Sequence, residues 1–251
     1  MSDPVHARAP GTPLVSAGDE AAAGAAVRRM FAAVAPRYDL LNHLLSLGID
    51  VAWRHATARA LGAILERPSS LVADLCCGTG DLSLCLARRS SGKVVGADFC
   101  PPMLLLAQRK AAAQNAHVPF LAADALHLPF PDDSLDAITL AFGFRNLANY
   151  ARGLEEMRRV LKTGGWLVIL EFSQVRWPLF GPLFRFYFRR VLPAIGAWIS
   201  GLGGPYRYLP ESVSRFPDQE ALADDMHCAG FRNVRYRNFT GGIAALHIGE
   251  K

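Results

Sequence analysis

The sequence predicts a doubly wound α/β fold: a mostly parallel seven-stranded sheet with an antiparallel edge strand, an N-terminal helical cap and a helical insertion after the fifth strand. Three observations predict it. Between residues 71 and 172, short apolar runs alternate with amphipathic segments, the pattern of strand–helix–strand units that feed a parallel sheet. The last two runs, FRNVRYRNF and GGIAALHIG, are separated only by the turn around Thr240-Gly241-Gly242, so they pair as a hairpin at the sheet's edge. A chain of 251 residues, 51% hydrophobic and 20% charged, is long enough to bury one such core and is not a disordered composition.

The elements follow in order. Residues 1–25 are rich in Pro, Gly and Ala and read as a disordered tail; they lack the basic start and apolar run of a secretory signal. Residues 26–251 read as one domain, with a helical cap over 26–68. Val27–Ala35 and Asp39–Leu47 have helical apolar spacing, interrupted by Pro36. Asp50 reads as the N-cap of a helix running to about Glu66, where Arg67-Pro68 stops it. Then come a strand LVADLC (71–76), a helix Asp81–Arg89, a strand KVVGAD (93–98) and a helix Pro102–Gln114. Strands VPFLAA (118–123) and LDAITLA (135–141) precede a helix Tyr150–Leu161, stopped by Gly164-Gly165, and the fifth strand WLVILEF (166–172). A helix over Asp218–Ala229 leads into the hairpin.

Charge and cysteine usage narrow the setting. A net charge of +5 permits an anionic partner without choosing between nucleic acid and membrane. The five cysteines, Cys76, Cys77, Cys85, Cys100 and Cys228, have no metal-ligand spacing and read as reduced, small buried hydrophobes in a cytoplasmic protein. The chain carries no Ser/His/Asp arrangement and no P-loop.

In a doubly wound sheet the ligand sits at the carboxyl ends of the strands, so the loop after the first strand is a site by position. That loop, DLCCGTGD, places Gly78, Thr79 and Gly80 between Asp74 and Asp81. The glycines allow a sharp turn and close approach of a ligand to the main chain. Flanking carboxylates would repel a pyrophosphate but suit a ligand bearing an ammonium and a sulfonium. S-adenosylmethionine has both and no phosphate. Asp98, at the end of the second strand, can accept from both ribose hydroxyls; Asp124, after the third, can accept from the adenine amino group beside the Ala125 amide.

These residues carry a resemblance. DLCCGTGD, GADF, AADALHLPFPDDSLD and RRVLKTGG resemble the class I S-adenosylmethionine-dependent methyltransferases, a Rossmann-like fold, over residues 70–173. YDLLNHLLSLGIDVAWR (38–54) and RVLKTGGWLVILEFS (159–173) look like the two signatures of the quinone-biosynthesis C-methyltransferases, which methylate demethylmenaquinol and 2-polyprenyl-6-methoxybenzoquinol. AFGFRNL (141–147) and YRYLPESVSRFP (206–217) resemble two further segments of that family. The resemblance implies S-adenosylmethionine as methyl donor, no metal, and a prenylated quinol as acceptor. The ring, benzoquinol or naphthoquinol, and the oligomeric state, a homodimer included, stay open. Another lipophilic acceptor (a sterol, a tocopherol precursor or a fatty acyl chain) is the alternative within the enzyme class; a non-catalytic docking module and a nicotinamide oxidoreductase are alternatives outside it.

The segment 174–210 supplies the acceptor side. It holds Arg176, Arg185, Arg189, Arg190 and Arg207 interleaved with Trp177, Phe180, Phe184, Phe186, Tyr187, Phe188 and Trp198, with no acid between Glu171 and Glu211. Its longest uncharged run, Val191–Tyr206, falls short of the roughly 20 residues that span a bilayer. Basic and aromatic residues together mark a segment lying on an anionic lipid surface, and also suit single strands of nucleic acid; the apolar excess favours lipid or a prenyl tail. The expected place is the inner face of the cytoplasmic membrane, peripherally bound, with no nucleic-acid partner.

Methyl transfer to a ring carbon needs the quinol hydroxyl to lose its proton and push charge into the ring. Arg145 and Asn146, just past the fourth strand, are placed to stabilise that phenolate, with Tyr208 and Asp39, together with Tyr38, to bond the quinol hydroxyls and His43 as a further base.

Overall fold

The computed structural model describes residues 11–12, 19–39, 46, 48–175 and 203–251. His43 and the stretch Arg176–Arg190 of the aromatic-basic segment lie outside the described residues, as does the Arg207 side chain. The first helix, α1 (Glu20–Val34), runs into a 3₁₀ turn over Ala35–Arg37. It starts inside the expected tail. The Asp19 carboxylate accepts from the Ala22 amide at 2.8 Å, a cap worth about 1 kcal/mol, so an Ala-rich stretch of high helix propensity is helical from Glu20 onward.

Next come α2 (Ile49–Ala60) and the short α3 (Gly62–Leu65). Asp50 is not the cap of α2. Gly48, in the left-handed region at φ 74°, turns the chain into the helix, while Asp50 is buried and pairs with Arg54 one turn on and with Ser46. The sheet then alternates: β1 (Leu71–Leu75), α4 (Asp81–Ala87), β2 (Lys93–Asp98), α5 (Pro101–Ala113), β3 (Phe120–Ala122) and β4 (Leu135–Ala141). β3 is shorter than its apolar run because Pro119 has no amide to offer the ladder. A 3₁₀ turn over Phe144–Asn146 leads to α6 (Tyr150–Val160), β5 (Leu161–Phe172), α7 (Gly203–Arg215), α8 (Gln219–Cys228), β6 (Arg232–Phe239) and β7 (Ala244–Glu250).

The strand order is β3-β2-β1-β4-β5-β7-β6. β1 to β5 are mutually parallel, and β7 runs antiparallel to both neighbours, β5 and β6. The reversed strand is therefore one place in from the edge. Two cores cover the faces. One gathers Leu140, Phe144, Tyr150, Met157, Met226 and Phe231 under α6 and α8; the other gathers Trp53, Ile64, Leu86, Val168 and Ile248 under α2, α3 and α4. The chain reverses its direction of travel across the sheet between β1 and β4, and a crevice opens beyond their carboxyl ends.

Candidate active site

A cleft of about 850 Å³, its open mouth included, occupies that crevice. Its floor is the ends of β1, β2 and β4, with Leu75, Cys76, Gly78, Ala97, Asp98 and Phe142. Its roof is the N-terminal cap: Glu20, Gly24 and Phe31 of α1, and Tyr38. Reasoning from sequence finds the part of that roof with Phe31 and Tyr38, in the expected helical cap, but assigns Glu20 and Gly24 to the tail, because Ala and Gly dominate there and leave little apolar periodicity. The roof is tied at its start, where Glu20 accepts from Asn149 Nδ2 at 2.9 Å and pairs with Arg152.

The sequence-predicted cofactor residues separate into two groups. Gly78, Asp98, Asp124 and Ala125 line the cavity. Gly78 sits at φ 54°, and a Cβ there would meet only the Tyr38 ring, at 3.7 Å; the main chain is bare toward the ligand. Asp98 accepts from the Gly78 and Cys100 amides at 2.8 Å each, one bond per oxygen, which leaves lone pairs on both. Burial pushes its pKa up to about 6, against the pull of those amides. Asp124 accepts from the Leu126 amide at 2.9 Å and keeps its other oxygen. Carboxylates with spare lone pairs suit ribose hydroxyls and an adenine amino group, so this donor set fits S-adenosylmethionine.

The other group does not face the cavity. Asp74 is buried under the loop, accepting from Ser83 Oγ at 2.5 Å and Thr139 Oγ1 at 2.9 Å. Burial raises its pKa to about 7. It braces β1 against β4 and α4 and does not greet a cationic ligand. Thr79, Gly80, Asp81 and Asp39 form a second cluster beside Lys110 of α5, a residue that no local pattern in the sequence singles out. Lys110 Nζ reaches Asp81 Oδ1 at 2.5 Å, Asp39 Oδ2 at 2.7 Å and Thr79 Oγ1 at 3.1 Å, and Thr79 donates to Asp39 Oδ1 at 2.5 Å. Asp39 thus fastens the cap to the glycine loop and does not line the cavity. Gly80, at φ 83°, packs against Ala107 and Phe120.

On the acceptor side, Asn146 lines the cavity and Arg145 does not. Arg145 is buried behind it. Its Nη1 donates to Glu171 Oε1 at 2.6 Å and to the Phe142 carbonyl, and its guanidinium lies 5.3 Å from the Phe172 ring centre. Burial opposes its charge, but the Glu171 carboxylate more than offsets this and holds the pKa above the usual arginine value. Glu171 Oε2 also accepts from the Arg145 amide at 3.2 Å, so one carboxylate pins the whole 3₁₀ turn. Tyr208 donates to Asn146 Oδ1 at 2.8 Å, and its hydroxyl shares a second bond of 2.8 Å with Thr12 Oγ1. Burial raises the Tyr208 pKa, keeping the phenol protonated. Among the described residues no cluster of His, Cys, Asp or Glu is large enough to hold a metal ion.

A glycine turn and paired acceptors at the switch point of a seven-stranded sheet with a reversed strand define a class I S-adenosylmethionine-dependent methyltransferase. Solved structures share the fold: a SAM-dependent methyltransferase of Thermotoga maritima aligns with a TM-score of 0.64 over 90% of this chain and 99% of that one, at 18% identity. One of Aquifex aeolicus aligns at 0.57 over 77% and 88%, at 22% identity. The model of the ubiE/COQ5 methyltransferase family matches residues 19–251, from the cap of α1 onward, and the chain belongs to that family. A demethylmenaquinone methyltransferase of Thermus thermophilus is 55% identical over 223 residues, covering 88% of this chain and 100% of the relative. One of Deinococcus radiodurans is 52% identical over 93% of this chain and 96% of the relative. A ubiquinone/menaquinone biosynthesis C-methyltransferase of Geotalea daltonii is 44% identical over 91% and 97%. This protein is an S-adenosylmethionine-dependent methyltransferase.

Proposed function

We propose that this enzyme moves the methyl group of S-adenosylmethionine onto the unsubstituted ring carbon of demethylmenaquinol, a prenylated naphthoquinol. The observation that carries this reading is the continuity of the cavity wall. It runs from the acceptors Asp98 and Asp124 past Gly78 to the amide of Asn146, with apolar Cys76, Phe142, Leu147 and Leu126 between them. The relatives named for demethylmenaquinone, at 55% and 52% identity, support the naphthoquinol ring. The relatives named for both quinones, at 44% identity and below, support the equivalent benzoquinol step as a second reading.

The bound donor supplies an electrophilic methyl on a sulfonium. The protein has two tasks. Asp98, Asp124 and the bare Gly78 backbone hold the nucleoside and fix the direction of the methyl, since alignment is where rate is gained with so good a leaving group. Asn146 spends one Nδ2 hydrogen on the Phe142 carbonyl, at 3.3 Å, and its second is free to bond the quinol oxygen as negative charge develops there. Tyr208, Thr12 and the Arg145–Glu171 pair keep Asn146 in place. In this reading Arg145 acts on the phenolate through Asn146 and not by touching it. No metal takes part, and the aromatic-basic segment 174–210 rests on an anionic membrane surface and admits the prenyl tail, a reading that its composition supports.

The test is methyl transfer from labelled S-adenosylmethionine to a panel of reduced demethylated quinones, with mass analysis of the ring. A single C-methyl on the naphthoquinol is expected. Label on an oxygen, or on neither quinol, would overturn the assignment.

A further inference from the structure

We propose that the groove between α2 and the β6–β7 hairpin is a docking site for the phosphate headgroups of an anionic phospholipid surface. The groove has a volume of about 760 Å³, its open side included, and is lined from α2 by Ala56, Arg59 and Ala60 and from the hairpin by Arg235, Tyr236, Arg237, Phe239, Leu246 and Ile248. Register explains the grouping. Arg235 pairs with Ile248, Arg237 with Leu246 and Phe239 with Ala244, so alternate residues of β6 stand over the apolar side chains of β7 on one face. α2 covers β5 on that face and meets the hairpin at its turn, where Trp53 Nε1 donates to Thr240 Oγ1 at 3.2 Å; beside that contact a trough remains, with three guanidinium groups along its walls.

Three features separate this trough from an ordinary solvated edge. Charges along an edge strand guard it against pairing, yet Arg59 comes from a helix and has no part in that edge. The two strand arginines are braced: Arg235 lies 5.4 Å from the Trp166 ring centre and Arg237 5.5 Å from that of Phe239. A planar guanidinium held this way keeps its fork of donors for a phosphate. No carboxylate lines the groove, and none of the three arginines is in an ion pair among the described residues. Glu250, further along the same face of β7, is engaged by Asn233 Nδ2 at 3.0 Å.

The occupant follows from charge and polarity together. An acidic protein surface would match the arginines but leave the half-buried Phe239, Ala56 and Ala60 facing polar groups. A phospholipid matches both. The same face leads toward the acceptor side of the catalytic cavity: Phe239 and Phe172 flank Ala244 in the ladder, and the Phe172 ring lies 4.6 Å from that of Phe142, which lines the cavity. The site would thus seat the enzyme beside the membrane that stores a prenylated acceptor, and it rests on that reading of the substrate. It is distinct from the aromatic-basic segment.

The experiment is flotation of the whole protein with vesicles of phosphatidylglycerol or of phosphatidylcholine at physiological salt, without quinol, so that its outcome is independent of substrate identity. Wild type should float with the anionic vesicles only. Arg59→Gln/Arg235→Gln/Arg237→Gln should weaken this by roughly a hundredfold, from about 1 kcal/mol per arginine near such a surface. Its melting temperature and its methyl transfer to a short-chain quinol in detergent should match wild type. Arg185→Gln/Arg189→Gln/Arg190→Gln is the contrast. Flotation that survives the groove variant, that depends on the segment arginines alone, that is equal with neutral vesicles, or that soluble polyglutamate abolishes as well as anionic lipid does would each overturn the proposal.

Discussion

Arg145 and Glu171 form a buried ion pair, joined at 2.6 Å and jointly closed to solvent, at the base of the turn that carries Asn146. Neither can lose its partner cheaply. Glu171→Ala leaves a buried guanidinium uncompensated, a change that costs about 3–5 kcal/mol in comparable pairs. Denaturant unfolding should show that loss. Glu171→Gln, which keeps an acceptor, should lose less stability and still lower kcat by displacing Asn146.

Tyr208→Phe isolates the phenol. It removes the hydroxyl that bonds Asn146 and Thr12 while keeping the ring. Turnover should fall, by roughly tenfold for the loss of about 1–1.5 kcal/mol of positioning, with cofactor affinity unchanged. Steady-state kinetics against both substrates would check this. A raised KM for S-adenosylmethionine with kcat intact would remove Tyr208 from the acceptor side.

Asp98→Ala should weaken S-adenosylhomocysteine binding by about 2 kcal/mol, since hydrogen bonds to a carboxylate are worth that order. Titration calorimetry measures it. The apo protein should also melt earlier, because the Gly78 and Cys100 amides lose their acceptor.

Lys110→Met removes the cation that joins Asp39, Thr79 and Asp81. The two carboxylates then repel, and the cap loosens from the glycine loop. These groups are partly exposed, so about 1 kcal/mol is at stake: a several-fold rise in the KM for S-adenosylmethionine, with little change in kcat. Lys110→Arg should recover part of it.

The raised carboxylates set a pH slope. Asp74 and Asp98 hold protons up to about 7 and about 6, whereas in the unfolded chain they release them near 3.8. Between about pH 4 and 7 the native state therefore binds more protons, and its unfolding free energy falls as pH rises. His247, held neutral by burial, gives the opposite slope below its usual range. The difference between wild type and Asp74→Asn isolates one group: the variant should lack a fall on the order of 3–4 kcal/mol across that window. Melting curves from pH 4.5 to 8 would read it.

The strands and their order of appearance were legible because buried parallel strands are apolar runs bounded by turns. Asp98 and Asp124 were legible because strand-end carboxylates beside a glycine turn have few structural uses in common. Asp74 was misread for a reason of distance. Its two partners, Ser83 and Thr139, lie on α4 and β4, and nothing local to DLCCGTGD says that hydroxyls will fill both oxygens. Asp50 was misread likewise, since a cap and a buried partner for Arg54 use the same residue type. The first turns of the cavity's roof escaped notice because Glu20 and Gly24 sit in a sequence too uniform to show a face.

The placing of β7 between β5 and β6 has a consequence for assembly on the ribosome. β6 is made before the strand it must pair with, and the flank of β5, with Leu167 and Ile169 fully buried in the finished protein, stays bare until β7 emerges. Until β7 emerges the half-made chain therefore carries an open, greasy ladder, the kind of surface that aggregates or recruits chaperones. Closure is a single insertion of β7 between two strands that are already made.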